Sequence, residues 1–287
     1  MSDATVAETL HSATRRLESA GIDDARLESE VLLASASGVD RAHLLANLPD
    51  AVDPGAGPRF ESLLARRLAH EPLAYIVGHR EFYGIDVACG PGALIPRPET
   101  EMLVELALDE VRKRGSGVRI ADVGTGSGAI AIAIAANAPG VHIAAIESSA
   151  EALAVARRNI ERHGLTPRIE LREGDLLEGA GTFDVIVANL PYVSEADWTD
   201  LEPEIRDNEP RAALVGGHNG TEVVERLLEQ APAHLAPGGV LAAEIGDTQA
   251  ERVLAAAHRR FPGALACVMK DLGGRDRMLV VRIGGGG

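Results

Sequence analysis

Four stretches of this sequence hold residue types whose spacing could do chemistry. Asp122-Val-Gly-Thr-Gly-Ser-Gly128 sets Gly124, Gly126 and Gly128 around Thr125 and Ser127. Glycines let a backbone approach a ligand closely and adopt φ > 0, and a helix opening behind them offers free N–H groups. That suits a nucleotide-like ligand. Gly124-x-Gly126-x-x-Ala129 also fits the dinucleotide fingerprint, so the turn alone leaves the cofactor open. The plainer alternative is a glycine-rich structural turn. Glu147 lies 23 residues after Gly124. An acid there accepts hydrogen bonds from both hydroxyls of a ribose, in NAD and S-adenosylmethionine alike. The competing reading is an ordinary solvated Glu.

Asp175, in Glu173-Gly-Asp-Leu-Leu177, is spaced to reach an adenine amino group, and Leu176 to pack against the ring. A turn or helix-cap Asp fits equally. Asn189-Leu-Pro-Tyr192 separates the cofactors. An Asn side chain supplies one acceptor oxygen and two N–H donors. An amide or exocyclic amine nitrogen is a poor nucleophile, so an enzyme must hold its N–H groups with acceptors. Asn189 and the Leu190 carbonyl can do this, Pro191 fixes the backbone, and Tyr192 is expected to pack on the substrate plane. The alternative is a simple Asn turn before a proline.

These residues need a scaffold. From residue 118 apolar strands and helices alternate, which predicts a parallel sheet with helices on both faces. Strands are expected at 118–123, 141–146, 168–172, 183–188 and 240–245. The last two, at 264–269 and 277–283, are joined by so short a turn that they must be antiparallel. Residues 284–287 read as a glycine tail. Upstream, 1–72 read as a helical bundle with helices at 5–20, 24–37, 41–48 and 59–69. Residues 73–95 read as a β-hairpin linker with strands at Tyr75-Ile-Val and after Phe82, and 96–287 as the catalytic domain.

Composition narrows the partners. The net charge is −15, with 12 acids and 7 bases up to Pro72 and 31 and 21 after it. A phosphate backbone asks for a basic face, so direct nucleic-acid binding is not expected. No apolar run of membrane-spanning length occurs. Met1 to Glu8 carries two acids and no basic cluster, unlike a secretory signal, so a cytoplasmic protein is expected. Cys89 and Cys267 have neither zinc nor disulfide spacing, and no metal is expected.

The glycine turn followed by Asn-x-Pro-Tyr resembles the amino-group methyltransferases that act on adenine, cytosine or glutamine nitrogen. Five further stretches resemble the bacterial release factor glutamine methyltransferases: Glu71 to Gly78, Arg80 to Gly84, Leu94 to Glu101, Glu209 to Gly217 and Asp271 to Arg277. The likeness spans nearly the whole chain. It implies a seven-stranded, Rossmann-like class I methyltransferase domain behind a helical substrate-recognition module. The implied reaction is methylation by S-adenosylmethionine of N5 of the glutamine in the Gly-Gly-Gln loop of release factors, leaving S-adenosylhomocysteine. Gly124, Thr125, Gly126, Ser127 and Gly128 would then hold the cofactor with Glu147, Asp175, Leu176 and Asn189. Asn189, Leu190, Pro191 and Tyr192 would be the catalytic loop.

Two positions depart from that pattern. Asn189-Leu-Pro-Tyr stands for the usual Asn-Pro-Pro-Tyr, and Glu147 for the usual Asp. Asn-Leu-Pro-Tyr also occurs in enzymes that dimethylate adenine in ribosomal RNA, so an rRNA or DNA adenine-N6 methyltransferase is one alternative. A non-catalytic module that binds release factors or ribosomes is another.

Overall fold

The computed structural model describes residues 4–284, so the expected glycine tail lies, beyond Gly284, outside them. The chain divides into two units: residues up to Gly78 with Pro203–Asn208, and His79–Glu202 with Glu209 onward.

In the first unit the helix Val6–Ser19 opens with a capping box. Thr5 Oγ1 accepts from Glu8 N while the Glu8 carboxylate accepts from Thr5 N, satisfying two N–H groups a helix end leaves open. Its face Val6, Leu10, Ala13 and Leu17 is buried against Ala25–Ser37 and Ala56–Leu68. The buried Arg67 guanidinium is held by Glu28 and by Glu204 of the short helix Pro203–Arg206. The strand expected at Tyr75-Ile-Val is instead part of a helix, Leu73–Val77, closed by Gly78 at φ 85. Ile76 joins the apolar core of this unit, and a short apolar run does not by itself distinguish strand from helix.

The hairpin is therefore shorter than expected: β1 (His79–Phe82) pairs with β2 (Ile85–Ala88). Tyr83 and Gly84 between them both have positive φ, 50 and 74, the twist that suits a two-residue hairpin loop. The hairpin groups with the larger unit, where Phe82 and Val87 enter the sheet's core. The fully buried Asn159 ties it down. Its amide exchanges hydrogen bonds with Ala88 N and O and also donates to Ser127 O in the glycine turn.

The central sheet has seven strands in the order β10-β11-β9-β6-β3-β4-β5. These are β3 (Arg119–Val123), β4 (His142–Glu147), β5 (Ile169–Glu173), β6 (Phe183–Ala188), β9 (Leu235–Glu244), β10 (Leu265–Lys270) and β11 (Asp276–Arg282). From β5 to β9 the neighbours are parallel, whereas β11 runs antiparallel to both β9 and β10, as the short final turn demands. Side chains alternate between the faces. Ile120, Val185 and Val187 pack on one side with Leu103, Ile132 and Ile160, and Ala121, Val123 and Ile186 on the other with Val224, Leu228 and Val253. Two short strands, β7 (Val193–Ser194) and β8 (Val215–Gly217), form a separate parallel pair.

Strand order reverses at β3, which is flanked by β4 and β6. Val123 is level with Ile146 and with Ala188. The residues that follow those strands therefore emerge along one edge, the position where open α/β sheets bind ligands.

Candidate active site

A cavity of about 280 Å³ opens at that edge. Gly124, Thr125, Gly126 and Ser127 form one wall, Glu147 and Asp175 another, and Asn189, Leu190 and Pro191 a third. Gly128 sits behind them as N-cap of the helix Ala129–Asn137. Tyr192, expected on the substrate plane, does not line the cavity and turns its hydroxyl to Glu244.

Gly124 has φ 72, and a Cβ there would meet Leu190 Cδ2 at 2.8 Å. A side chain would both strain this backbone and collide. Gly216 of β8 is equally confined: its Cβ would lie 2.3 Å from Pro191 O. The Glu209-to-Gly217 stretch thus packs directly against the Asn-Leu-Pro-Tyr loop.

The Glu147 carboxylate is held in place by backbone. Its Oε1 accepts from Ser148 N and Ser149 N at 2.8 and 2.9 Å, and its Oε2 from Gly126 N at 3.0 Å. The same side chain that faces the cavity therefore pins the glycine turn. Asp175 pairs with Arg226 at the cavity wall. Leu176 is buried at φ 55, a conformation that costs a branched residue energy and clusters at functional sites.

Beneath the turn, Asp122 is fully buried. Its Oδ2 accepts from Thr125 Oγ1 at 2.6 Å and Ala131 N at 3.1 Å, while among the described residues Oδ1 has no hydrogen-bond partner. Burial pushes this carboxyl up to about 7 against the opposing Thr125 and Ala131 hydrogen bonds.

Residue typing missed the support behind Asn189. Asn189 Nδ2 donates to Thr100 Oγ1 at 3.0 Å, and Thr100 Oγ1 donates to Glu244 Oε2 at 2.7 Å. Burial raises the Glu244 carboxyl, opposed by the Thr100 and Tyr192 hydroxyls and the Arg277 charge. Burial and the adjacent Glu244 charge likewise raise the Tyr192 phenol. A second buried carboxylate, Glu209, accepts from Ile95 N and pairs with Arg97. It joins the walls built by Leu94 and Pro96 to those built by Pro210 and Ala212. Both Arg97 and Glu209 lie in stretches singled out from sequence, but no local pattern says that they meet.

Residues 8–78 match the family model described as PrmC N-terminal domain, and residues 99–205 the methyltransferase small domain. The chain is similar to the release factor glutamine methyltransferase of Geobacter sulfurreducens, 42% identical over 283 residues that cover 98% of this chain and 97% of that one. The protein of the same name from Nitratidesulfovibrio vulgaris is 39% identical over 285 residues, 98% of this chain and 96% of that one. Among solved structures, a methyltransferase from Pyrococcus furiosus is similar at 25% identity with a TM-score of 0.52, covering 78% of this chain and 99% of the other.

Proposed function

Since the chain belongs to the release factor glutamine methyltransferases, we propose that it transfers a methyl group from S-adenosylmethionine to a glutamine side-chain amide nitrogen. The substrate in this reading is N5 of the glutamine in the Gly-Gly-Gln loop of peptide-chain release factors. The helical unit recognises that protein substrate, and the reaction belongs to the cytoplasm, where translation terminates.

The residues present fit the cofactor. Gly124 and Gly126 line the cavity with bare backbone, against which a ligand's amino-acid moiety would lie in this reading. Glu147 faces the cavity with its carboxylate fixed and retains lone pairs for ribose hydroxyls. Asp175 and Leu176 line the same cavity, and in this reading they meet the adenine. When bound, S-adenosylmethionine supplies an electrophilic methyl carbon on a positively charged sulfur.

The observation that carries the reading is the orientation of Asn189. Its Nδ2 is committed to Thr100, and among the described residues its Oδ1 has no hydrogen-bond partner. The oxygen is therefore the group available to a substrate in the cavity. An acceptor there, with the Leu190 carbonyl, takes the two N–H groups of a primary amide and turns the nitrogen toward its reaction partner. Orientation of this kind removes much of the barrier for a poor nucleophile. Mass spectrometry of purified release factor, after incubation with enzyme and S-adenosylmethionine, tests the assignment. One added methyl on the loop glutamine is the expected result. Binding without methylation would identify a non-catalytic partner instead.

A further inference from the structure

An Asn side chain has two branches of nearly equal size and opposite hydrogen-bonding character. A half-turn of the Asn189 amide would put Nδ2 in the cavity, where it would face the N–H groups of an amide substrate donor to donor. Something must select the productive rotation. We propose that Glu244, acting through the Thr100 hydroxyl, is the positioning residue that keeps Asn189 Oδ1 toward the methyl-acceptor nitrogen. The proposal deepens the reading of Asn189 given above and rests on it.

The argument is a count of protons. Thr100 Oγ1 lies 3.0 Å from Asn189 Nδ2 and 2.7 Å from Glu244 Oε2. A hydroxyl has one proton to give. Glu244 Oε2 takes it, so toward Asn189 the oxygen can only accept, and only Nδ2 can supply the donor. In the flipped amide, two oxygens would face each other across that 3.0 Å with no proton between them. Thr100 and Glu244 are 4% and 2% exposed, so no bulk water is at hand to repair the mismatch. Glu244 is itself held: its Oε1 accepts from the Tyr192 hydroxyl at 3.2 Å. Burial, the largest influence, raises the Glu244 carboxyl, while the Thr100 and Tyr192 hydroxyls and the Arg277 charge oppose it, and the proton count applies to the ionised carboxylate that accepts from Thr100. Tyr192 thus belongs to the device that aims Asn189, three residues before it in the chain.

Single-turnover methylation and S-adenosylhomocysteine affinity, measured on Thr100 variants with and without Asn189→Ala, test the proposal. Thr100→Val keeps the shape and deletes the hydroxyl, and it should slow methyl transfer roughly tenfold or more while cofactor affinity stays within about threefold. Thr100→Ser should restore the rate to within about threefold of wild type. In the Asn189→Ala background Thr100→Val should cost less than about twofold more, since its effect passes through the missing amide. Glu244→Leu offers a second route. It frees the Thr100 proton for Asn189, so the rate should fall at least about fivefold, again without further loss beside Asn189→Ala. A wild-type rate in Thr100→Val or Glu244→Leu, or losses that simply add to those of Asn189→Ala, overturns the positioning role alone. A wild-type rate in Asn189→Ala removes the reading of Asn189 beneath it. Retained cofactor affinity shows in each case that the cavity is folded.

Discussion

Leu190 Cδ2 occupies the space that a side chain on Gly124 would need, 2.8 Å from the position of its Cβ. The residue that departs from the family's usual proline thus packs on the first glycine of the cofactor turn. Gly124→Ala should weaken S-adenosylhomocysteine binding through two separate costs, the collision and the left-handed backbone at φ 72. The backbone cost is roughly 1–2 kcal/mol. Adding Leu190→Ala should remove the collision and recover part, not all, of the affinity. Titration calorimetry on both variants checks this, and a double variant no better than Gly124→Ala would show that Leu190 yields freely.

Glu147 both braces the turn and faces the cavity. Glu147→Ala should weaken S-adenosylhomocysteine binding by about 1–3 kcal/mol, the range for hydrogen bonds to a charged group. The measurement is the dissociation constant at fixed pH and salt. An unchanged constant would leave Glu147 with only its bonds to Gly126, Ser148 and Ser149.

Asp122 makes stability depend on pH. Its folded value, about 7, lies above its ordinary 3.8, so the folded state holds the proton more tightly than the unfolded chain. The associated stability is fully present below about 3.8 and is lost as pH rises through about 7. Its size is at most on the order of 4 kcal/mol. In Asp122→Asn this part of the slope should vanish. Urea unfolding of both proteins between those limits should give a difference, wild type minus variant, that shrinks as pH rises. A constant difference would refute the assignment.

Glu209→Ala should be among the more destabilising changes in the larger unit. It strands the buried Ile95 N–H and leaves Arg97 without its carboxylate, with only the hydrogen bond to Ile95 O remaining. Breaking a buried pair costs about 3–5 kcal/mol, and the lower end applies because Arg97 keeps a quarter of its surface. Glu209→Gln retains an acceptor for Ile95 N and should lose less. Thermal unfolding of the two variants ranks them; equal losses would mean that the charge, not the acceptor, matters.

The sheet edge was legible because order along the chain implies it. An apolar strand before Gly124, another ending at Glu147 and a third before Asn189 must deliver those residues to one side once the strands are parallel. The antiparallel finish followed from a turn too short to cross the sheet. Local pattern could not reveal partners far apart in sequence. Thr100 reads as one residue of a proline-rich stretch and Glu244 as the end of a buried strand. Their contact, with Asn189 on one side and Tyr192 on the other, exists only after β6 and β9 pair. For the same reason Tyr192 reads as a stacking ring beside Asn189, whereas in the structure its hydroxyl supports Glu244. The helix Leu73–Val77 eluded the reading because five apolar residues carry no period long enough to separate the two kinds of element.

The helical unit is completed by a segment that the chain supplies much later, Pro203–Asn208. Arg67 shares its charge between Glu28 and Glu204, and Asn208 donates to His70 O. The unit is consequently not a cassette that one crossover can move between genes. A chimera that exchanges only the leading residues keeps the host's later loop, and a foreign residue at 204 then meets the sequestered guanidinium. Compatible exchange requires two splice regions inherited together, so recombination within this family should favour breakpoints that carry both.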